Sequence, residues 1–324
     1  MSFLTKLPKE RYSTSAFDAF VGGPEFRLGD AKAQAWMSQL AYETDEPDKI
    51  KDVLGVWGLA LVENGIVVEE VETALPKSST HCFVAAGRGA TFIAFAGTDP
   101  LVLANWITDF DAHIVSSGAA RGYDRAAAAV WLRLKSLLGK SMTIGNSIVI
   151  TGHSLGGALA ALTAHQIEKD SAGSVQAVFT FGMPRPGSAD FATGYNERLG
   201  ERTYRLVHGE DLVPTVAPSF LGFQHLGRFL HCNRGGKFDG SQLAPDTRSD
   251  EPPFLSGVSK ELTGLLHGPL SGFLSPLERL KLAAALAAGL GPAGMRTDPG
   301  GILIELLPPR LRDHMPDRYI GAFN

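Results

Sequence analysis

Between positions 91 and 208 short apolar runs alternate with longer stretches of helical periodicity. The runs FIAFAG, SIVIT, AVFTFG and TYRLVHG lack a polar face, as strands covered on both sides do. Apolar residues recur at helical spacing over residues 123–138, 155–169 and 188–199, which predicts three helices. Strand and helix in alternation predict βα units, hence an α/β fold with a mostly parallel central sheet flanked by helices. Upstream, GLALVENGIVVEEVE sets Asn64-Gly65 between two strand-like runs, predicting a β-hairpin and antiparallel strands that extend the sheet.

Residues 252–300 read differently, rich in Leu, Pro and Gly and poor in β-branched residues. They are expected to form a helical, cap-like insertion within a single domain covering residues 1–324. Leu277, Leu280, Leu286 and Leu290 fit one amphipathic face. The uncharged stretches here contain Pro or Gly and fall short of the ~20 residues that span a bilayer, so no transmembrane segment is expected.

Composition narrows the partners. The net charge of −4 comes without any basic cluster, which argues against nucleic acid. The stretch MSFLTKLPKERYSTSAFDAF is broken by Lys6, Pro8, Lys9, Glu10 and Arg11 before a leader-length apolar run. A cytoplasmic location is expected on that ground, with leaderless secretion left open. Two cysteines, Cys82 and Cys232, are too few for a disulfide framework, and whether they pair is left open. Each follows a histidine, but adjacent side chains of a strand point to opposite faces, so no metal site is expected.

The chemistry centres on VITGHSLGGALAAL, residues 149–162. A serine between glycines, behind a buried strand and ahead of an alanine-rich helix, sits where a sharp bend presents its hydroxyl. A serine hydroxyl is a weak nucleophile and needs a base that is itself oriented by a carboxylate. Asp211, in the loop after the strand TYRLVHG, is the favoured acid, with Glu210 in reserve. Of nine histidines, His225, His231, His267 and His314 follow that acid. His314 is favoured, because a polar terminal loop can fold back over the sheet edge. The Leu155 N–H at a helix start is one donor for a developing oxyanion, and the Gly97-Thr98 turn offers another. Just beyond it, Leu101, Val102, Leu103 and Trp106 are too apolar for an idle loop and are expected to form a lid that lines the substrate path.

With these residues in hand, the chain resembles the class 3, fungal-type lipases, which are α/β-hydrolases. The likeness runs through AWMSQLAYE, FAGTDPLVLANWITD, RGYDRA, VITGHSLGGALAAL, FTFGMPRPGSADFA, RLVHGEDLVPTVAP, GFQHLG and DHMPDRYI, in order over about 280 residues. The pairing of GHSLGGALA with TFGMPRPG is its most specific part. The resemblance implies Ser154 as nucleophile, Asp211 as acid and His314 as base, with Thr98 and Leu155 at the oxyanion hole and a lid from Asp99 to Trp106. Ala96 stands where many members carry an arginine, and the insertion before His314 is longer than in the compact fungal enzymes.

The expected activity is carboxylic-ester hydrolysis through an acyl-enzyme, as in a triacylglycerol lipase, on a lipid or ester substrate at a lipid–water interface and without a cofactor. An esterase or phospholipase of the same mechanism and a non-catalytic binding protein on the same scaffold are the alternatives. Oligomeric state is not legible.

Overall fold

The computed structural model describes residues 5–71, 78–98, 113–144, 147–171, 174–217, 219–244 and 309–323. The lid positions Asp99, Leu101, Val102, Leu103 and Trp106, the insertion at 252–300 and His267 all lie outside the described residues.

A seven-stranded sheet forms the centre. Its strands are β1 (Ala60–Val71), β2 (Ser78–Gly87), β3 (Ala90–Phe95), β4 (Ser147–His153), β5 (Val175–Phe181), β7 (Thr203–His208) and β9 (Arg228–Cys232). They lie side by side in that order, while β6 (Gly187–Ser188) and β8 (Phe223–Gln224) make a separate two-stranded ribbon. From β3 to β9 every pairing is parallel, and β1 and β2 add an antiparallel edge.

The period of two along each strand divides the core into two layers. Ile93, Phe95, Ile148, Ile150 and Val178 join one apolar cluster; Phe92, Ala94, Val149, Ala177, Phe179 and Phe181 join the other. Two helices, α1 (Leu28–Leu40) and α2 (Pro47–Val56), contribute to the second layer. The first layer is covered by α3 (Arg121–Ile144), α4 (Leu155–Asp170) and α5 (Ala189–Leu199). With apolar surface buried on both sides, the parallel strands have no reason to alternate with polar residues, which is why their sequences read as unbroken apolar runs. The three predicted helices are present, and Ser188 caps α5 by accepting the Phe191 N–H at 3.3 Å.

The predicted hairpin at Asn64-Gly65 is not formed there. Both flanking runs belong to β1, which pairs with β2 from Leu61↔Ala85 and again from Ile66↔Phe83. The residues between bulge out of the ladder, with Asn64 at φ 56°. An Asn-Gly pair suits any left-handed backbone position, and here a bulge takes it instead of a turn.

The N-terminal arm is fastened to this frame by Glu43, whose side chain is fully buried. One carboxylate oxygen accepts the Leu7 N–H at 2.9 Å and the Tyr12 hydroxyl at 2.8 Å. The other lies 2.9 Å from the Lys49 ammonium. Removing one member of a buried pair leaves uncompensated polar groups behind. Glu43→Ala is therefore expected to cost about 3 kcal/mol in urea-unfolding stability.

Candidate active site

β4 runs into α4 through a single residue, Ser154. Its backbone sits at φ 59°, ψ −133°, a conformation that costs a non-glycine residue roughly 1–3 kcal/mol. Hydrogen bonds on both sides hold it there: the Ser154 N–H donates to Phe181 O at 2.8 Å and the Gly157 N–H to Ser154 O at 2.9 Å. The side chain makes no capping bond to the helix it precedes. The hydroxyl is buried and, among the described residues, has no hydrogen-bond partner. Leu155 opens α4, at the positive end of the helix. The exit of β3 crosses directly over this bend: a Cβ at Gly97 would lie 2.7 Å from Ser154 Cβ, so only a glycine permits the approach. Thr98, half-buried, is the next residue out.

Asp211 and His314 meet although 103 residues separate them. His314 Nδ1–H donates to Asp211 Oδ2 at 2.7 Å, with both side chains out of contact with water. A carboxylate only accepts, so this bond fixes the proton on Nδ1 and leaves Nε2 as the ring's basic atom. Nε2 is buried and has no hydrogen-bond partner among the described residues. Asp211 accepts two further bonds, from Val213 N–H to Oδ1 at 2.8 Å and from the Tyr319 hydroxyl to Oδ2 at 2.6 Å. Tyr319 comes from α7 (Pro316–Gly321), which follows α6 (Pro309–Arg312) and the turn bearing His314. Burial, followed by the charge of Asp211, pushes the Tyr319 hydroxyl well above the ordinary tyrosine range, so it stays a donor.

A polar chain runs beneath the bend. His153 Nε2 lies 2.7 Å from His314 O and its Nδ1 2.7 Å from the Tyr42 hydroxyl. The carbonyl can only accept, so Nε2 carries the proton, and Nδ1 accepts from Tyr42. Burial, followed by the nearby His314, holds His153 well below the usual histidine range and keeps it neutral. The two imidazole centroids are 4.5 Å apart.

The structure thus brings together Asp211 and His314, and sets Leu155 and the Gly97-Thr98 turn against Ser154. The Glu210 side chain is exposed, His225 is buried, and His231 donates from Nε2 to Gly209 O at 2.8 Å. Tyr42, His153, Tyr319, Asp313 and Arg234 are supporting residues that the sequence did not single out. Asp313 and Tyr319 stand in the same RDHMPDRYI stretch as His314, the one signal that pointed to them.

Gly182, after β5, sits at φ 64°, and a Cβ there would lie 2.6 Å from Asp211 Oδ2 and 2.9 Å from His314 Nδ1. Gly182→Ala is expected to split the Asp211–His314 pair, read as loss of the low-field proton resonance of that hydrogen bond, which the parent chain keeps.

Burial also depresses the imidazoles of His81, to about 4, and of His165 and His208. Above pH ~6.5 these groups, like His153, are neutral in both the folded and the unfolded chain, and the stability they allow is complete. Below it the unfolded chain takes up protons that the folded one refuses. The His81 contribution is expected to fall by up to ~1.4 kcal/mol per pH unit between pH ~6.5 and ~4, and the lowered His153, His165 and His208 add to the fall in the same direction. Denaturation midpoints that stay level from pH 7 to pH 5 contradict this.

The family described as lipase (class 3) matches residues 92–221. A secreted mono- and diacylglycerol lipase, LIP4 of Malassezia restricta, is 44% identical over 131 residues, covering 38% of this chain and 43% of the relative. Secreted mono- and diacylglycerol lipase 1 of Fusarium solani is 30% identical over 157 residues, 46% of each chain. The chain spans less than half the length of these curated relatives. Lipase II from Rhizopus niveus superposes with a TM-score of 0.56 at 20% identity, over 69% of this chain and 88% of that one. The cytoplasmic location expected from the N-terminal sequence is overturned, since relatives matched here are named as secreted. Among the described residues no helix is long and apolar enough to cross a membrane. A strained serine bend on a mostly parallel sheet and a matching central segment together relate this chain to the class 3 lipases on an α/β-hydrolase fold.

Proposed function

We propose that the chain hydrolyses carboxylic esters of acylglycerols through a covalent acyl-enzyme at Ser154. The observation that carries this reading is a pair of unpartnered buried atoms. Ser154 Oγ and His314 Nε2 have no hydrogen-bond partner among the described residues, while the opposite ring nitrogen of His314 is held by Asp211 at 2.7 Å. Leaving such atoms unsatisfied costs stability, and a catalytic role is one reason a folded chain retains that cost.

In the proposed reaction Ser154 Oγ attacks the ester carbonyl carbon while His314 Nε2 takes the hydroxyl proton. The imidazolium so formed is stabilised by the Asp211 carboxylate. The carbonyl oxygen becomes an oxyanion, for which the Leu155 N–H and the Thr98 backbone and hydroxyl are the proposed donors. The C–O bond to the glycerol alcohol then breaks, and that oxygen leaves with the proton held by His314. A water molecule, deprotonated by the same Nε2, attacks the acyl-serine and releases the fatty acid. The apolar residues Leu101, Val102, Leu103 and Trp106, with Asp99, are proposed as the lid over the acyl chain, and residues 252–300 as a cap on the same single domain.

The preferred substrates are proposed to be mono- and diacylglycerols rather than triacylglycerols, because relatives matched over the central segment carry those names. The same names support an extracellular site of action. Ser154→Ala is expected to reduce kcat by about 10⁵-fold while leaving the unfolding midpoint close to that of the parent. Hydrolysis of mono-, di- and trioleoylglycerol emulsions, followed by titration of released acid, tests the preference. Faster release from trioleoylglycerol refutes the partial-glyceride reading, and ester turnover surviving in Ser154→Ala refutes the mechanism.

A further inference from the structure

The residues just before the acid and the base, Glu210 and Asp313, pair across the same gap as their neighbours. The Glu210 N–H donates to Asp313 Oδ2 at 2.9 Å, and His314 Nδ1–H donates to Asp211 Oδ2 at 2.7 Å, both across 103 residues of sequence. Two rungs therefore join the loop after β7 to the C-terminal segment. Asp313 is buried, its side chain 3% exposed, and its charge is met by Arg234. Arg234 Nε stands 2.9 Å from both carboxylate oxygens, and a terminal guanidinium nitrogen stands 2.6 Å from Oδ2. His208 Nδ1–H donates to the Asp313 carbonyl at 3.3 Å. The residue next to His314 is thus fastened to the ends of β7 and β9 together.

Chain connectivity does not impose this register. Arg234 and Asp313 are 79 residues apart, and a connection of that length leaves its ends free to choose among many relative positions. A forked guanidinium removes that freedom, because two or more planar N–H donors on one carboxylate fix both distance and orientation. Burial alone raises the Asp313 carboxyl, but the bonds from Arg234 and Glu210 outweigh it, so Asp313 is held below the ordinary carboxylate range and stays ionised. A lysine in place of Arg234 supplies the charge without the fork.

We propose that Arg234 is a positioning residue for the hydrolysis: through its forked ion pair with Asp313 it sets the His314 ring against Asp211. This rests on the ester-hydrolase reading above.

The test compares the parent chain with Arg234→Met, Arg234→Lys and Asp313→Asn. For each, kcat and KM on p-nitrophenyl butyrate are measured across pH, together with the low-field proton resonance of the His314–Asp211 hydrogen bond. Arg234→Met is expected to lose kcat by about 10- to 100-fold, the cost of a displacement near 1 Å, with KM little changed and the resonance shifted or broadened. Asp313→Asn is expected to do the same, and Arg234→Lys to recover only part of the loss. Parent-like kcat and an unmoved resonance in Arg234→Met overturn the proposal. Should Arg234→Met fail to fold, Arg234→Lys decides: parent-like values there overturn the fork as surely. A parent chain that hydrolyses no ester defeats the hydrolase reading instead, and the resonance still judges the clamp.

Discussion

The whole arrangement hangs on one buried hydrogen bond, His314 Nδ1–H to Asp211 Oδ2, formed between segments that the chain itself leaves far apart. A buried carboxylate is tolerable only when its charge is met and its lone pairs are used. Asp211 satisfies that condition with three donors drawn from three places: the loop it occupies, the C-terminal turn and α7. Each donor constrains the others, because moving the C-terminal segment outward would strip His314 and Tyr319 from the carboxylate at once. The order of this terminal segment is therefore a requirement of electrostatics as well as of packing.

That requirement explains why polar side chains are concentrated around Ser154, at the end of strands whose buried faces are largely apolar. β4, α4 and the exit of β3 converge so closely that glycines are needed at Gly97, Gly152 and Gly156. Close convergence yields a rigid bend but leaves buried hydroxyls, imidazoles and carbonyls that must find partners within the same few ångströms. Tyr42 and His153 supply those partners on the inner side, and the Arg234–Asp313 pair supplies them on the outer side. The backbone strain at Ser154 is maintained because both flanking elements are pinned independently of it.

How much of this was readable before the fold was known depends on the range of each interaction. The parallel strands and the start of α4 were legible because burial on two faces and small-residue spacing are written locally. Asn64-Gly65 misled because a left-handed residue fits a bulge as well as a turn, and only the register against β2 decides between them. The meeting of Asp211 with His314 was favoured from chain order and strengthened by the family likeness. Arg234 gave no local sign, since it matters only through a partner 79 residues away, and Tyr42 stood within AWMSQLAYE with no role assigned because its partner lies 111 residues away. The location failed for a different reason: the reading rested on an N-terminal stretch, and the names of the relatives point elsewhere.

The two stacked imidazoles show how the polar chain assigns its roles. With centroids 4.5 Å apart, two imidazolium charges would repel by roughly 4 kcal/mol at the effective permittivity of a protein interior. Only one of the pair can take a proton during a reaction. Tyr42 and the His314 carbonyl occupy both nitrogens of His153, whereas His314 has one nitrogen engaged by Asp211 and the other without a partner. Protonating His153 would place a charge on a buried ring whose two partners, the Tyr42 hydroxyl and the His314 carbonyl, are both neutral. Protonating His314 sacrifices nothing and strengthens its bond to the carboxylate. The carboxylate against His314 is the difference between the two rings, and it leaves His153 a neutral strut against the ring that faces Asp211.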